Sequence, residues 1–264
     1  MEHTAPQHPP IVLCISGHDP SGGAGLHADI EACHAWGAHA MGALTALTIQ
    51  DTRNVHAVRA LDPEWFEAQL QRLDADCEIH AVKFGVLGSV EQVEIAARWV
   101  RRWQLPTVLD PVLQAGGGAE LAGQPIARAL LDTLLPLATV VTPNAAEARL
   151  LSGVQALPEA AATLGARGPA HVLVTGGDEA GTAPRTDWHW HDGTMRALHR
   201  PRWAQSYHGA GCTLAASIAA LLARGLPAEA AIDQASAQVH RWLGSPKVIG
   251  GGRPSPLRQG PVTP

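Results

Sequence analysis

Aromatic residues other than tryptophan are nearly missing from this chain: one Tyr and two Phe stand beside eight Trp in 264 residues. Any core must therefore be packed mainly from Ala, Leu and Val. Charged residues are sparse at 16%, while 46% of the chain is hydrophobic, which excludes a disordered chain too poor in apolar groups to fold. No basic cluster is present. With 19 Lys and Arg against 24 Asp and Glu the formal charge is −5, so no nucleic acid and no anionic membrane is expected as a partner. No apolar run approaches the roughly 20 residues that span a bilayer. The polar, Pro-rich start, Met1 to Pro10, lacks the basic and apolar regions of a signal peptide. The four cysteines, Cys14, Cys33, Cys77 and Cys212, are scattered without CxxC spacing, which argues against a disulfide framework or a zinc site. A cytoplasmic protein with reduced thiols is expected.

Short β-rich runs alternate with longer helical patterns. Ile11 to Ser16 is continuously apolar, as in a strand buried on both faces. Ala40 to Ile49, Val55 to Ala60, Ala81 to Phe84, Thr107 to Leu109, Thr139 to Thr142 and His171 to Thr175 read as further strands. Helices are predicted from Gly25 to Trp36, Pro63 to Leu73 and Val90 to Trp103, and between the later strands. Asp187 to His191 and Met195 to His199 flank an Asp192-Gly193 turn and predict a peripheral hairpin. Two Ala-rich helices follow, about Ala210 to Arg224 and Pro227 to Trp242, and the Gly- and Pro-rich tail, like residues 1–10, is expected to be irregular. The alternation implies an α/β fold with a mainly parallel sheet. No linker or repeat divides the chain, so one domain over residues 1–264 is expected. Ligands in such folds bind beyond the carboxyl ends of the strands.

The chemistry-bearing residues follow those strands. After the first comes Ser16-Gly17-His18-Asp19-Pro20-Ser21-Gly22-Gly23-Ala24-Gly25, either a tight turn or a loop that lets backbone approach an anion at a helix start. It lacks the Lys-Ser/Thr pair of a P-loop. Asp29 falls on the apolar arc of the next helix, where a carboxylate needs a partner or a ligand. Gln50 could pair with a heterocyclic ring, or belong to a plain polar loop. Lys83, inside a buried strand, needs a partner or a function. Asp110, Asn144 and Glu147 close two central strands and could serve Mg²⁺ and a nucleotide, although Glu147 could equally be a first-turn helix acid. His208-Gly209-Ala210-Gly211-Cys212-Thr213 precedes a helix as an anion nest, and that placement predicts a lowered Cys212 pKa.

In order, SGHDPSGGAGLHAD, LTALTIQDTRNV, VKFGVL, DPV, TPN with Glu147, and GAGCTLA run through the chain. With these motifs it resembles the hydroxymethylpyrimidine and phosphomethylpyrimidine kinases of thiamine biosynthesis, members of the ribokinase-like group, from about Ile11 to Ile249. The resemblance implies a three-layer α/β/α sandwich and ATP- and Mg²⁺-dependent phosphorylation of 4-amino-5-hydroxymethyl-2-methylpyrimidine and then of its monophosphate. It implies that Gly17, Asp29, Gln50 and Val86 hold the pyrimidine. Lys83, Asn144, Thr175 and Gly177 would serve the nucleotide, and Asp110 and Glu147 the metal. Gly209, Ala210, Gly211 and Cys212 would form the catalytic anion hole, and the protein would be a homodimer. Two positions depart from the pattern: Thr175-Gly176-Gly177 replaces Lys-Gly-Gly, removing a counter-charge for phosphate, and Ala210 replaces a Thr. The alternatives are a pyridoxal kinase of the same group and a non-catalytic pyrimidine-binding protein. A flap over the substrate would be allowed by Gly116-Gly117-Gly118.

Overall fold

A computed structural model describes residues 8–114, 123–177, 179 and 184–259, so the glycine run at 116–118 lies outside the described residues. Nine strands form one sheet: β1 (Ile11–His18), β2 (His39–Gln50), β3 (Val55–Ala60), β4 (Ala81–Phe84), β5 (Thr107–Leu109), β6 (Val140–Val141), β7 (His171–Val174), β8 (Arg185–His191) and β9 (Thr194–Arg200). Their order is β3-β2-β1-β4-β5-β6-β7-β8-β9. The six strands from β2 to β7 in that order pair in parallel, and β3, β8 and β9 extend the two edges antiparallel. The hairpin is thus part of the sheet. Its turn has Asp192 at φ 44° and Gly193 at φ 73°, the two left-handed residues that a tight turn matched to strand twist demands.

Alternate strand residues build two cores. Val12, Cys14, Val108, Val140 and Leu173 meet α1 (Gly25–Ala35), α7 (Ala210–Ala223) and α8 (Ala228–Gly244) on one face. Leu13, Ile15, Val82, Phe84, Leu109, Val141 and Val172 meet α2 (Pro63–Asp76), α3 (Val90–Trp103), α5 (Ala145–Ser152) and α6 (Leu157–Gly165) on the other. The short α4 (Gln124–Ala129) joins the second layer. Alanine dominates the first layer, and Trp36 and Trp242 fill its edge at 6.4 Å between ring centroids. Sequence signals explain the helix starts. Asp62 accepts the Glu64 N–H ahead of α2, Ser89 accepts the Gln92 N–H ahead of α3, and Asn144 with Glu147 forms a reciprocal capping box on α5.

From β1 the chain steps one way to β2 and β3, then returns past β1 to β4 and onward. The carboxyl ends of β1 and β4 therefore diverge at a topological switch point, where a crevice opens. Among the described residues, no helix is long and apolar enough to cross a membrane.

Candidate active site

A cleft of about 460 Å³ opens over these carboxyl ends. Gly17, Gln50, Lys83, Val86, Asp110, Asn144, Glu147, Thr175, Gly177 and the run Gly209 to Cys212 all border it. Gly17 and Val86 are in mutual contact range: a Cβ on Gly17 would lie 2.7 Å from the Val86 side chain, so only glycine leaves that wall open.

Asp29 is the expected site residue that does not border the cleft. Its helical periodicity does bury it, but the carboxylate lies behind the wall, fully buried. Oδ2 accepts from Lys83 Nζ at 2.9 Å and from Ser16 Oγ at 2.5 Å. Asp29 is thus the partner that buried Lys83 requires, not a residue placed against a ring. Burial opposes the Lys83 charge, but Asp29, Cys212 and Asp110 together hold its ammonium above the ordinary range.

The two glycine-rich loops meet. Gly209 has φ 76°, and a Cβ there would overlap Gly23 O, so both the conformation and the close approach require glycine. Asp19 locks the first loop. Its carboxylate accepts the Ser21 and Ala24 N–H groups, each at 2.8 Å, and the Ser21 hydroxyl. It also meets His208 Nε2 at 2.7 Å. Burial works against ionisation of Asp19, but bonds from His208, Ser21 and Gln50 prevail and hold it below the usual carboxylate range. Arg258, buried in the tail, clamps both loops by donating to Gly23 O at 2.6 Å and Thr213 Oγ1 at 2.8 Å. Residues 250–259 of the tail hold no helix or strand, yet through Arg258 they are fastened to both loops of the site.

Gly209 gives α7 no side-chain cap, so the first-turn N–H groups at Ala210, Gly211 and Cys212 face the cleft. Asp110 lies beneath them, its two oxygens 3.6 and 3.8 Å from where a Gly211 Cβ would be. Burial pushes the Asp110 carboxyl up to about 6, Lys83 pulling down and Asp29 adding to the rise. Glu147 accepts the Leu113 N–H at 3.3 Å and the Asn144 N–H at 3.0 Å, which fixes its carboxylate at the cleft edge.

A model of the phosphomethylpyrimidine kinase family matches residues 19–255. The chain belongs to that family. It is 38% identical over 250 residues to the hydroxymethylpyrimidine/phosphomethylpyrimidine kinase of Synechococcus elongatus, a match covering 92% of this chain and 95% of that protein. It is also 38% identical over 258 residues to a chloroplastic thiamine biosynthetic bifunctional enzyme of Arabidopsis thaliana, covering 94% of this chain and only 49% of that longer protein. A solved structure of Bacillus subtilis pyridoxal kinase, an ADP complex, matches with a TM-score of 0.87 at 32% identity, over 94% of this chain and 97% of that one. The ribokinase-like α/β fold expected from the motifs is the one observed.

For a phosphomethylpyrimidine kinase with cysteine at its helix start, the Cys212 thiol is set differently from expectation. Burial pushes it up to about 12; Lys83 opposes this, the Asp110 and Asp29 carboxylates add to it, and the Gly25 N–H offsets little. Raised this far, the thiol stays protonated instead of standing as a thiolate. The helix terminus alone favours the anion, but nearby carboxylates and burial outweigh it. Cys77 and Cys212 are both half-buried and both thiols are raised, Cys212 the further, so brief iodoacetamide treatment of the free protein should label Cys77 before Cys212, as read by peptide mass spectrometry. Preferential labelling of Cys212 would restore the thiolate.

Asp19, His208 and Arg258 were not assigned roles from sequence. The first two lay in quoted motifs, but their pairing spans 189 residues. Arg258 sits in a segment without periodicity, and no local signal could have marked it.

Proposed function

We propose that this chain transfers the γ-phosphoryl group of ATP to the hydroxymethyl oxygen of 4-amino-5-hydroxymethyl-2-methylpyrimidine, and a second one to the resulting monophosphate. In the first step the hydroxymethyl oxygen bonds to phosphorus, ADP leaves and the hydroxyl proton is released; in the second an oxygen of the monophosphate bonds to phosphorus and ADP leaves. One observation carries the reading: the uncapped first turn of α7 stands above Asp110 and divides a single cleft. Gly17, Gln50 and Val86 lie on the β1–β2–β4 side, and Asn144, Thr175 and Gly177 on the β6–β7 side. The first side suits the pyrimidine and the second the nucleotide.

Asp110 and Glu147 end the neighbouring strand paths β5 and β6 and offer hard oxygen ligands. Among the described residues no group of three or more His, Cys, Asp or Glu forms a metal cage. That donor set fits Mg²⁺, which keeps waters and takes the rest of its ligands from phosphate oxygens. When bound, the ion neutralises charge on the transferring phosphoryl group. The N–H groups of residues 210–212 do the same without reorganising, because the helix holds them in place. Transfer passes through a loose transition state in which the acceptor needs little prior deprotonation. A protonated Cys212 therefore suffices, by orienting the acceptor hydroxyl through its sulfur.

The second reading, pyridoxal phosphorylation, is favoured by the likeness to an ADP-bound pyridoxal kinase. Purified protein with MgATP and hydroxymethylpyrimidine, its monophosphate or pyridoxal separates the two by ADP release. The two pyrimidines should give the highest kcat/KM values. Faster turnover of pyridoxal would transfer the assignment to that substrate, and no turnover of any of the three would leave a binding protein.

A further inference from the structure

The cleft wall at β7 and β8 carries a cation that no sequence motif singled out. β7 and β8 pair antiparallel, with Val174 opposite Trp188. Continuing that register sets Thr175 opposite Asp187 and Gly177 opposite Arg185. The contacts agree: Gly176 N–H donates to Asp187 Oδ1 at 2.9 Å, and a Cβ on Gly177 would lie 3.5 Å from Arg185 Nη1. Residues 175 and 185 are then diagonal neighbours on one sheet face, a separation that a long side chain spans. A cation at 185 reaches the space that a lysine at 175 would occupy.

Arg185 is held for such a task. Its Nε and Nη2 donate to Asp187 at 2.7 and 2.8 Å, and Asp187 is fully buried. Nη1 makes no hydrogen bond to any described residue, and Arg185 borders the cleft beside Thr175 and Gly177. One edge of the guanidinium is thus fixed by a carboxylate, and the other edge is left as a planar donor pair suited to phosphate oxygens. Neighbouring Arg202 is committed elsewhere, to the carbonyls of Gly176, Gly177 and Glu179.

We propose that Arg185, oriented by Asp187, binds the terminal phosphates of a nucleoside di- or triphosphate and supplies the charge that Thr175 lacks. This rests on the kinase reading above, with the nucleotide on the β6–β7 side. Calorimetric titration with ADP and with adenosine tests it on the whole protein. Arg185→Gln should weaken ADP binding about tenfold to a hundredfold, as expected for loss of charge-assisted bonds, and leave adenosine affinity and the pyrimidine KM unchanged. Arg185→Lys keeps a charge against Asp187 but loses the planar outer edge, so it should remain folded and bind ADP less tightly. Adding Thr175→Lys to Arg185→Gln should recover most of the loss, whereas Thr175→Lys alone should gain less than about twofold because a cation already fills the place. A purely structural role for Arg185 would shift ADP and adenosine together and would not be rescued by a charge at 175. If the parent protein bound ADP and both Arg185 variants bound it equally well, Arg185 makes no phosphate contact. If the parent bound no ADP, the kinase reading and this assignment would fall together.

Discussion

Asp29→Asn should lower the melting temperature by about 10 °C. Removing one partner of a buried ion pair costs about 3–5 kcal/mol, because the other charge stays desolvated and uncompensated, and each kcal/mol is worth about 2–4 °C in a chain of this size. Both side chains of the Lys83–Asp29 pair are wholly inaccessible, and the Ser16 hydroxyl donates to the same carboxylate. Lys83→Met alone should be similarly damaging. The double variant should be more stable than the sum of the two losses implies, the signature of direct coupling. Thermal melts of the four proteins decide it. A midpoint within a few degrees of the parent, together with a raised pyrimidine KM, would return Asp29 to a direct role in holding the ring.

Asp110→Ala should reduce kcat by about a hundredfold to a thousandfold, the usual effect of deleting one preorganised electrostatic partner of a transition state. The fold should tolerate the change, because the buried Asp110 charge is itself costly and Lys83 keeps Asp29. The pH dependence follows from the same residue. Its carboxyl is raised to about 6, so the ionised form that the proposed Mg²⁺ role needs is lost as pH falls through that value. Parent activity at limiting Mg²⁺ should climb from pH 5.5 to 7.5, and that limb should vanish in the variant. Unchanged kcat in Asp110→Ala would remove the residue from the reaction.

Much of the sheet was legible because its signals are local. The strands expected at Val55–Ala60, Ala81–Phe84 and Thr107–Leu109 run between those same residues, and α3 starts at its Ser89 cap. β6 is only Val140–Val141, since Thr139 and Thr142 continue it with isolated backbone bonds. The site was legible as a set of positions but less so as chemistry. Asp29 and Lys83 each looked anomalous in an apolar setting, yet nothing in either segment says that they meet across 54 residues. Cys212 was misjudged for the same reason. The helix terminus that favours a thiolate is visible in GAGCTLA, whereas the carboxylates and the burial that oppose it come from β5, α1 and the packing of the two loops. Arg185 was hidden by strand register, which places it beside Thr175 only once β7 and β8 are paired.

The clamp made by Arg258 bears on the order in which this protein matures. Gly23 leaves the ribosome early, and the side chain that fastens its loop is 235 residues behind it. The sheet can grow outward from β1 and cover both faces during synthesis, as domains made from their N-terminal end do. The two glycine loops cannot be fastened until α7 is docked and the tail has folded back, a closure of very high contact order. A nascent chain stopped just after α8 would have both cores complete and its two glycine loops unclasped. Completion of the fold and readiness of the site are therefore separate events in the life of the molecule, and readiness comes second.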